Sequence, residues 1–210
     1  MVGHLVDIHP DLGARVAAAL GMKVPRSSAP RPESDAPAPS PALSLLAKAP
    51  KSIKTRQIGC LVADGVSSAT VATLKKALAA EGAILKVIAL KIGGFESAEG
   101  KVVPADEMAQ GGPSVLFDAV ILLGGENPPA EFLREAAAQN FASDAFKHLK
   151  AIACDSGGVT LLAEAGIGNQ DFDEGIIELT GSRDDRIDRF IEAAKQHRIW
   201  AREARVKAAV

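Results

Sequence analysis

From position 56 onward the chain alternates short, continuously apolar runs with longer stretches of helical period. Ile58-Gly59-Cys60-Leu61-Val62-Ala63 is strand-sized and stops at Asp64-Gly65. Residues 67–80 follow a helical spacing that places Val71, Leu74, Leu78 and Ala79 on one inner face. A second strand is predicted over 83–90, a short edge strand over 101–103 and a fully apolar one over 118–123. Helices follow over 129–138 and 141–149, then a strand over 151–154 and a helix over 158–165 stopped by Gly166. A last strand (175–179) and helix (184–196) complete the pattern. Apolar strands without alternation, separated by amphipathic helices, indicate a parallel sheet covered on both faces. The expected class is α/β: a doubly wound, flavodoxin-like three-layer sandwich with a mainly parallel sheet.

The first 55 residues follow another pattern. Residues 1–22 contain a helical stretch with Asp11 as the expected N-cap, Gly21 at the C-terminal end, and Leu12, Val16, Ala19 and Leu20 along one stripe. A lone helix of this length is marginal in water, so the stripe needs a cover. Either the following domain provides it or a larger upstream body does. Residues 23–52 are rich in proline, seven of the chain's twelve lying within 23–50, and read as an extended linker. The expected divisions are therefore 1–22, the linker 23–52, a folded domain over 53–200 and a basic tail over 201–210.

Composition narrows the class. Apolar residues make up 47% of the 210, charged residues 24%, and the formal net charge is -2, so a full core is possible and no basic field would attract nucleic acid. No apolar run is long enough to span a bilayer, and Met1-Val2-Gly3-His4-Leu5-Val6-Asp7 does not resemble a secretory leader. Cys60 and Cys154 both lie in apolar strands and suit a reducing cytoplasm. The chain has no tyrosine.

Candidate chemistry lies where strands end. Gly124-Gly125-Glu126 follows a buried strand, and two glycines there expose N–H groups of the kind an oxyanion hole uses. Ala153-Cys154-Asp155-Ser156-Gly157-Gly158 is a sharp strand-to-helix turn, the setting of a nucleophile elbow. Ser156 would stand at the bend, with Asp155 and Glu126 as neighbouring carboxylates; otherwise it is an inert N-cap of the next helix. Cys154, two residues earlier, should point within the sheet.

Leu61-Val62-Ala63-Asp64-Gly65-Val66, the Gly124-Gly125 turn and Ser156-Gly157-Gly158-Val159-Thr160-Leu161-Leu162-Ala163-Glu164-Ala165-Gly166 resemble the PfpI-like branch of the class I glutamine-amidotransferase superfamily. That family carries Cys-His-Gly-Pro where this chain has Ser156-Gly157-Gly158-Val159. It also carries a glutamate where Ser67 stands. The site that the resemblance implies is thus vestigial: Ser156 with Gly124, Gly125, Glu126 and Ser67.

A narrower resemblance runs almost the whole length. Val2-Gly3-His4-Leu5-Val6-Asp7-Ile8 with 11–17, Pro39-Ser40-Pro41-Ala42-Leu43-Ser44-Leu45, 111–120 and His197-Arg198-Ile199-Trp200-Ala201-Arg202-Glu203 are similar to the C-terminal part of large-subunit (clade 2) haem catalases. The resemblance implies a non-catalytic structural domain tethered behind a haem-binding core that decomposes hydrogen peroxide. Residues 1–22 would be the end of that core, and partners would be the core or further copies of the chain. It implies no cofactor here, because the proximal ligand of catalase haem is a tyrosinate. The alternatives are a PfpI-like small-molecule hydrolase or binder using Ser156, and a chaperone-like stabilising module. The tail from Arg198 to Arg205, with the only tryptophan, Trp200, is either solvated or an interface anchor.

Overall fold

The computed structural model describes residues 1–27, 40–45, 47–179 and 183–208, which fall into two compact units, Met1–Ala49 and Pro50–Val210. In the first unit α1 (Val2–Ile8) and α2 (Pro10–Ala19) meet where Gly13 packs against Val6. Pro10, not Asp11, opens α2: His9 is the N-cap, and Pro10 needs no N–H in the first turn. Gly21 (φ 65°) ends the helix as expected, with its N–H and that of Met22 donating to Ala18 O and Ala17 O. The buried positions of α2 are Gly13 and Ala17, whereas Leu12, Ala19 and Leu20 of the expected stripe are exposed. Small residues permit the close approach, so size and not hydrophobicity selects the inner face. Of the linker expected over 23–52, residues 28–39 and 46 lie outside the described residues. Residues 41–43 form one 3-10 turn, and Ile53 is already fully buried.

The second unit is built on a six-stranded sheet. Its strands are β1 (Gln57–Val62), β2 (Ile84–Ala89), β5 (Glu107–Met108), β6 (Ala119–Leu123), β7 (Ile152–Cys154) and β8 (Ile176–Glu178), in the order β5-β2-β1-β6-β7-β8. Every neighbouring pair is parallel, with Ile58 opposite both Leu85 and Ala119. The chain winds outward from β1 to β2 and β5, then returns to the other side of β1 for β6, β7 and β8. α3 (Ser68–Ala80) and α7 (Arg183–Lys195) pack together on one face; α4 (Ala130–Arg134), α5 (Ala136–Lys147) and α6 (Ser156–Glu164) pack on the other. The expected doubly wound sandwich is present. All five residues of β6 are buried, as are residues 58–62 of β1, which is why these strands read as continuous apolar runs.

Three details differ from the sequence pattern. Val102–Val103 (β4) pairs antiparallel with Phe95–Glu96 (β3) in a separate ribbon, and the true edge strand is β5. A two-residue strand is too short to show a period. The expected helix pair over 129–149 breaks at Glu135, not near 139–140. Glu135 is extended (ψ 120°), its N–H ends α4 on Glu131 O, and its carbonyl starts α5 by accepting from Ala138 N and Gln139 N. On α3 the inner face comprises Val71, Leu74 and Leu78, with Ala77 half-buried and Ala79 exposed. No helix among the described residues is long and apolar enough to cross a membrane.

The fold also continues past residue 200. Arg202 is fully buried. Its guanidinium donates twice to Asp173 (Nε–Oδ2 2.7 Å, Nη2–Oδ1 2.8 Å) and once to Lys150 O (2.8 Å), and it lies 4.6 Å above the Phe146 ring. The residue expected in a basic tail is a core anchor. Burial raises the Asp173 carboxyl, but the Arg202 hydrogen bonds and charge outweigh it and hold Asp173 below the usual carboxylate range. The stabilisation from this pair is therefore full above the ordinary carboxylate pKa and is lost as pH falls through the depressed folded value. Arg202→Met should cost about 3–5 kcal/mol, because it strands a buried carboxylate. Urea titrations of both proteins across pH 2–7 check this. The wild type should lose stability steeply at the acid end, and the variant should lose less there; equal acid slopes would show that the pair is not the source.

Candidate functional site

Strand order reverses between β1 and β6, and there the C-terminal ends of β1, β6 and β7 open a cleft of about 460 Å³. Its walls include Val66, Ser67, Thr70, Gly125, Glu126, Asp155 and Ser156. The structure thus brings Ser67, Gly125, Glu126 and Ser156 together. Gly124 lies just behind, buried against the start of α6. A β-carbon on Gly124 would come within 2.6 Å of Gly157 C, and one on Gly157 within 2.5 Å of Gly125 O. Backbone touches backbone here, so no side chain fits at 157, where the PfpI-like pattern has its histidine.

The two N–H groups expected to form an oxyanion hole already have a partner. Gly124 N donates to Asp155 Oδ1 (2.9 Å) and Gly125 N to Asp155 Oδ2 (2.8 Å). Gly158 N donates to Oδ1 of the same carboxylate (2.8 Å). Asp155 is therefore the N-cap of α6, and Ser156, expected as the cap, is the first helical residue. Burial pushes the Asp155 carboxyl up, the N–H groups of Gly124, Gly158, Gly125 and Gly157 pull it down, and burial prevails. The Asp155 carboxyl group fills the place that an incoming anion or oxyanion would take.

Ser156 is exposed, and its hydroxyl donates to Gly125 O (3.1 Å). No base accepts its proton. Asp155 faces the glycine N–H groups, and Glu126 is exposed on the cleft rim. Ser67 Oγ donates to Glu99 Oε1 (2.7 Å), and Ser68 N donates to Glu99 Oε2 (3.1 Å). The Ser67 hydroxyl and the Ser68 N–H hold Glu99 down to about 2. Glu99, in the turn between β3 and β4, thus caps α3 from outside the helix. Nothing local in the sequence pointed to it, because the contact spans 31 residues. Asp64, at the end of β1, is fixed by Glu96 N (2.8 Å) and Lys91 Nζ (2.7 Å).

Both cysteines are free and buried. Cys154 is fully buried, as expected within the sheet, with Sγ 3.9 Å from Ile177 O. Burial pushes its thiol up to about 12, and burial also raises Cys60 far above the usual thiol range. His4, His9, His148 and His197 are all exposed, and none lines the cleft. Among the described residues no group of His, Cys, Asp and Glu could hold a metal ion.

Comparison with known proteins adds the family. The model of the C-terminal domain found in long catalases matches residues 54–204. Over 99% of its length the chain is 39% identical to Catalase C of Rhizobium meliloti, covering 29% of that protein. It is 34% identical to Catalase HPII of Pseudomonas aeruginosa over 97% of the chain and 28% of that protein. It is also 30% identical to Catalase-2 of Bacillus subtilis, over 93% of the chain and 27% of the relative. The chain thus spans less than a third of the relatives it matches. With its parallel sheet intact over the matched residues, it belongs to the family of C-terminal domains of long catalases.

Proposed function

We propose that this chain is a non-catalytic structural domain that follows, and stabilises, the haem-binding core of a large-subunit catalase. In this reading residues 1–22 are the end of that core, 23–52 the tether, and 53 onward the domain proper. The observation that carries the reading is the Asp155 carboxylate on Gly124 N and Gly125 N. An acyl-transfer site needs those donors aimed at a reacting oxygen, and a serine nucleophile needs a base. Here the donors are spent on the protein itself, and the Ser156 proton goes to a carbonyl. Hydrogen peroxide would be consumed by the preceding core, whose haem needs a tyrosinate that this chain does not have. The described histidines are exposed and offer no enclosed axial ligand. The cytoplasm is the compartment that the two buried thiols favour. The core or further copies of the chain would be its partners.

The retained 460 Å³ cleft supports a second reading, a PfpI-like binder or hydrolase using Ser156. A paired mutation separates the two. Asp155→Ala should destabilise by about 3 kcal/mol or more, since it strands several buried N–H groups. Ser156→Ala should cost about 1 kcal/mol or less and change no chemistry. Melting curves and trace esterase, amidase and glyoxalase assays are run on the same preparations. A saturable activity that disappears in folded Ser156→Ala would replace the structural reading with the hydrolase.

Two further outcomes are expected. After incubation with haem and gel filtration the protein should show no Soret band and evolve no oxygen from peroxide; a stoichiometric complex would overturn the assignment of haem to the core alone. Limited trypsin digestion should cut first at Lys23 or Arg26. The product beginning near residues 48–56 should keep its thermal transition, and loss of the transition would move the boundary upstream.

A further inference from the structure

At the end of the sheet opposite the Asp155 cleft, cationic side chains converge. Lys147, His148, Leu149 and Lys150 carry the chain from α5 into β7, and with Val115, Arg198 and Trp200 they line a cleft of about 340 Å³. No carboxylate is among these lining residues. Asp118 and Asp144 lie close enough to act on Lys150 and Arg198 opposes them, while Arg198 itself feels burial first, then the Asp118 charge and then that of Arg56. The lysine is itself unusual. It is 1% exposed, and its ammonium donates to Ser114 O and Phe117 O (2.5 Å each), so two of its three protons are used. Burial first, and then the Arg198 charge, push it down to about 8. Ser114, whose carbonyl holds the ammonium, also has a buried hydroxyl without a partner. On the open side Trp200 and Val115 are 51% and 56% exposed. The walls are held by two non-glycine residues in left-handed backbone, Leu149 (φ 59°) and His197 (φ 67°).

A buried ammonium behind the wall, a guanidinium and an exposed indole around one cleft form a recognition set for negative charge beside a flat apolar body. We propose that this cleft binds a small planar anion, an aromatic or heteroaromatic ring bearing a carboxylate or phosphate. The ring would lie on Trp200 and the anionic group would face Arg198, with the buried Lys150 ammonium adding positive charge from behind the wall. The proposal does not depend on the structural reading above, because the cleft lies at the other end of the sheet and shares no residue with it.

The chain has one tryptophan and no tyrosine, so intrinsic fluorescence reports from this cleft alone. Calorimetric titration uses 1-naphthyl phosphate, with 1-naphthol and inorganic phosphate as its two halves, and Trp200 emission gives an independent readout. One saturable site with Kd below about 1 mM is expected, each half binding about tenfold more weakly or not at all. Arg198→Gln and Trp200→Leu should each weaken the naphthyl phosphate about tenfold with the melting temperature retained, while Lys86→Gln, on another part of the sheet, should not. Lys150 is left unchanged because its loss would strand two carbonyls and threaten the fold. Absence of a saturable site overturns the proposal, as does equal binding of 1-naphthol or unchanged affinity in the folded variants. So does concentration-dependent association that buries Trp200, which would make the cleft an interface between copies.

Discussion

The carboxylate of Asp155 joins three pieces of backbone at the point where strand order reverses. It accepts from the turn after β6 through Gly124 and Gly125 and from the start of α6 through Gly158, while itself standing at the end of β7. These N–H groups sit where little water reaches, and buried donors left unpaired are costly. Gly124 and Gly157 then press together closely enough to exclude any side chain at either position. The charge requires the glycines, since only exposed backbone can offer it this many donors. The glycines in turn require the charge, since their N–H groups have no strand partner.

Under the proposed structural reading, this arrangement leaves the outline of the site that the sequence resembles without its chemistry. The strand-to-helix bend, the paired glycines and a hydroxyl at the elbow are all present. An oxyanion hole needs its donors aimed at a substrate oxygen; here the glycine donors face Asp155, and the cleft beyond them is lined by Ser67, Thr70, Glu126 and Ser156. A histidine at 157 would not fit, because its β-carbon would collide with the Gly124–Gly125 backbone.

Much of this was legible in the sequence, for stated reasons. The central strands are buried on both faces, so 58–63 and 118–123 read as unbroken apolar runs, and the doubly wound class followed from their alternation with helices. Gly125, Glu126 and Ser156 were grouped by their place at strand ends and Ser67 by the family resemblance, and the structure gathers them around one cleft. The partners of Asp155, Glu99 and Arg202 were not legible. Each acts across about 30 residues or more, on backbone atoms or on a carboxylate that no periodicity marks. Arg202 reads as one more charge in a basic tail, because its burial depends on Asp173, Lys150 and the Phe146 ring, which only the tertiary fold brings together.

The direction of the sheet accounts for where these charges lie. All six strands run the same way, so the helices that return between them put their N-termini at one end and their C-termini at the other. Exposed N–H groups and the positive ends of helix dipoles collect where the strands finish, and carbonyls collect where they begin. An anion, Asp155, is buried at the first end. Two cations, Lys150 and Arg202, are buried at the second, bonded to Ser114 O, Phe117 O and Lys150 O in the approaches to β6 and β7. The anionic end is closed, because Asp155 meets its donors in full. At the cationic end Arg202 is matched by Asp173, whereas Lys150 is hydrogen-bonded to neutral carbonyls, with Asp118 and Asp144 near it and Arg198 opposing them. The proposed anion cleft beside Trp200 therefore lies at the end of the sheet where Lys150 and Arg198 stand, and not at the end where Asp155 already takes the backbone donors.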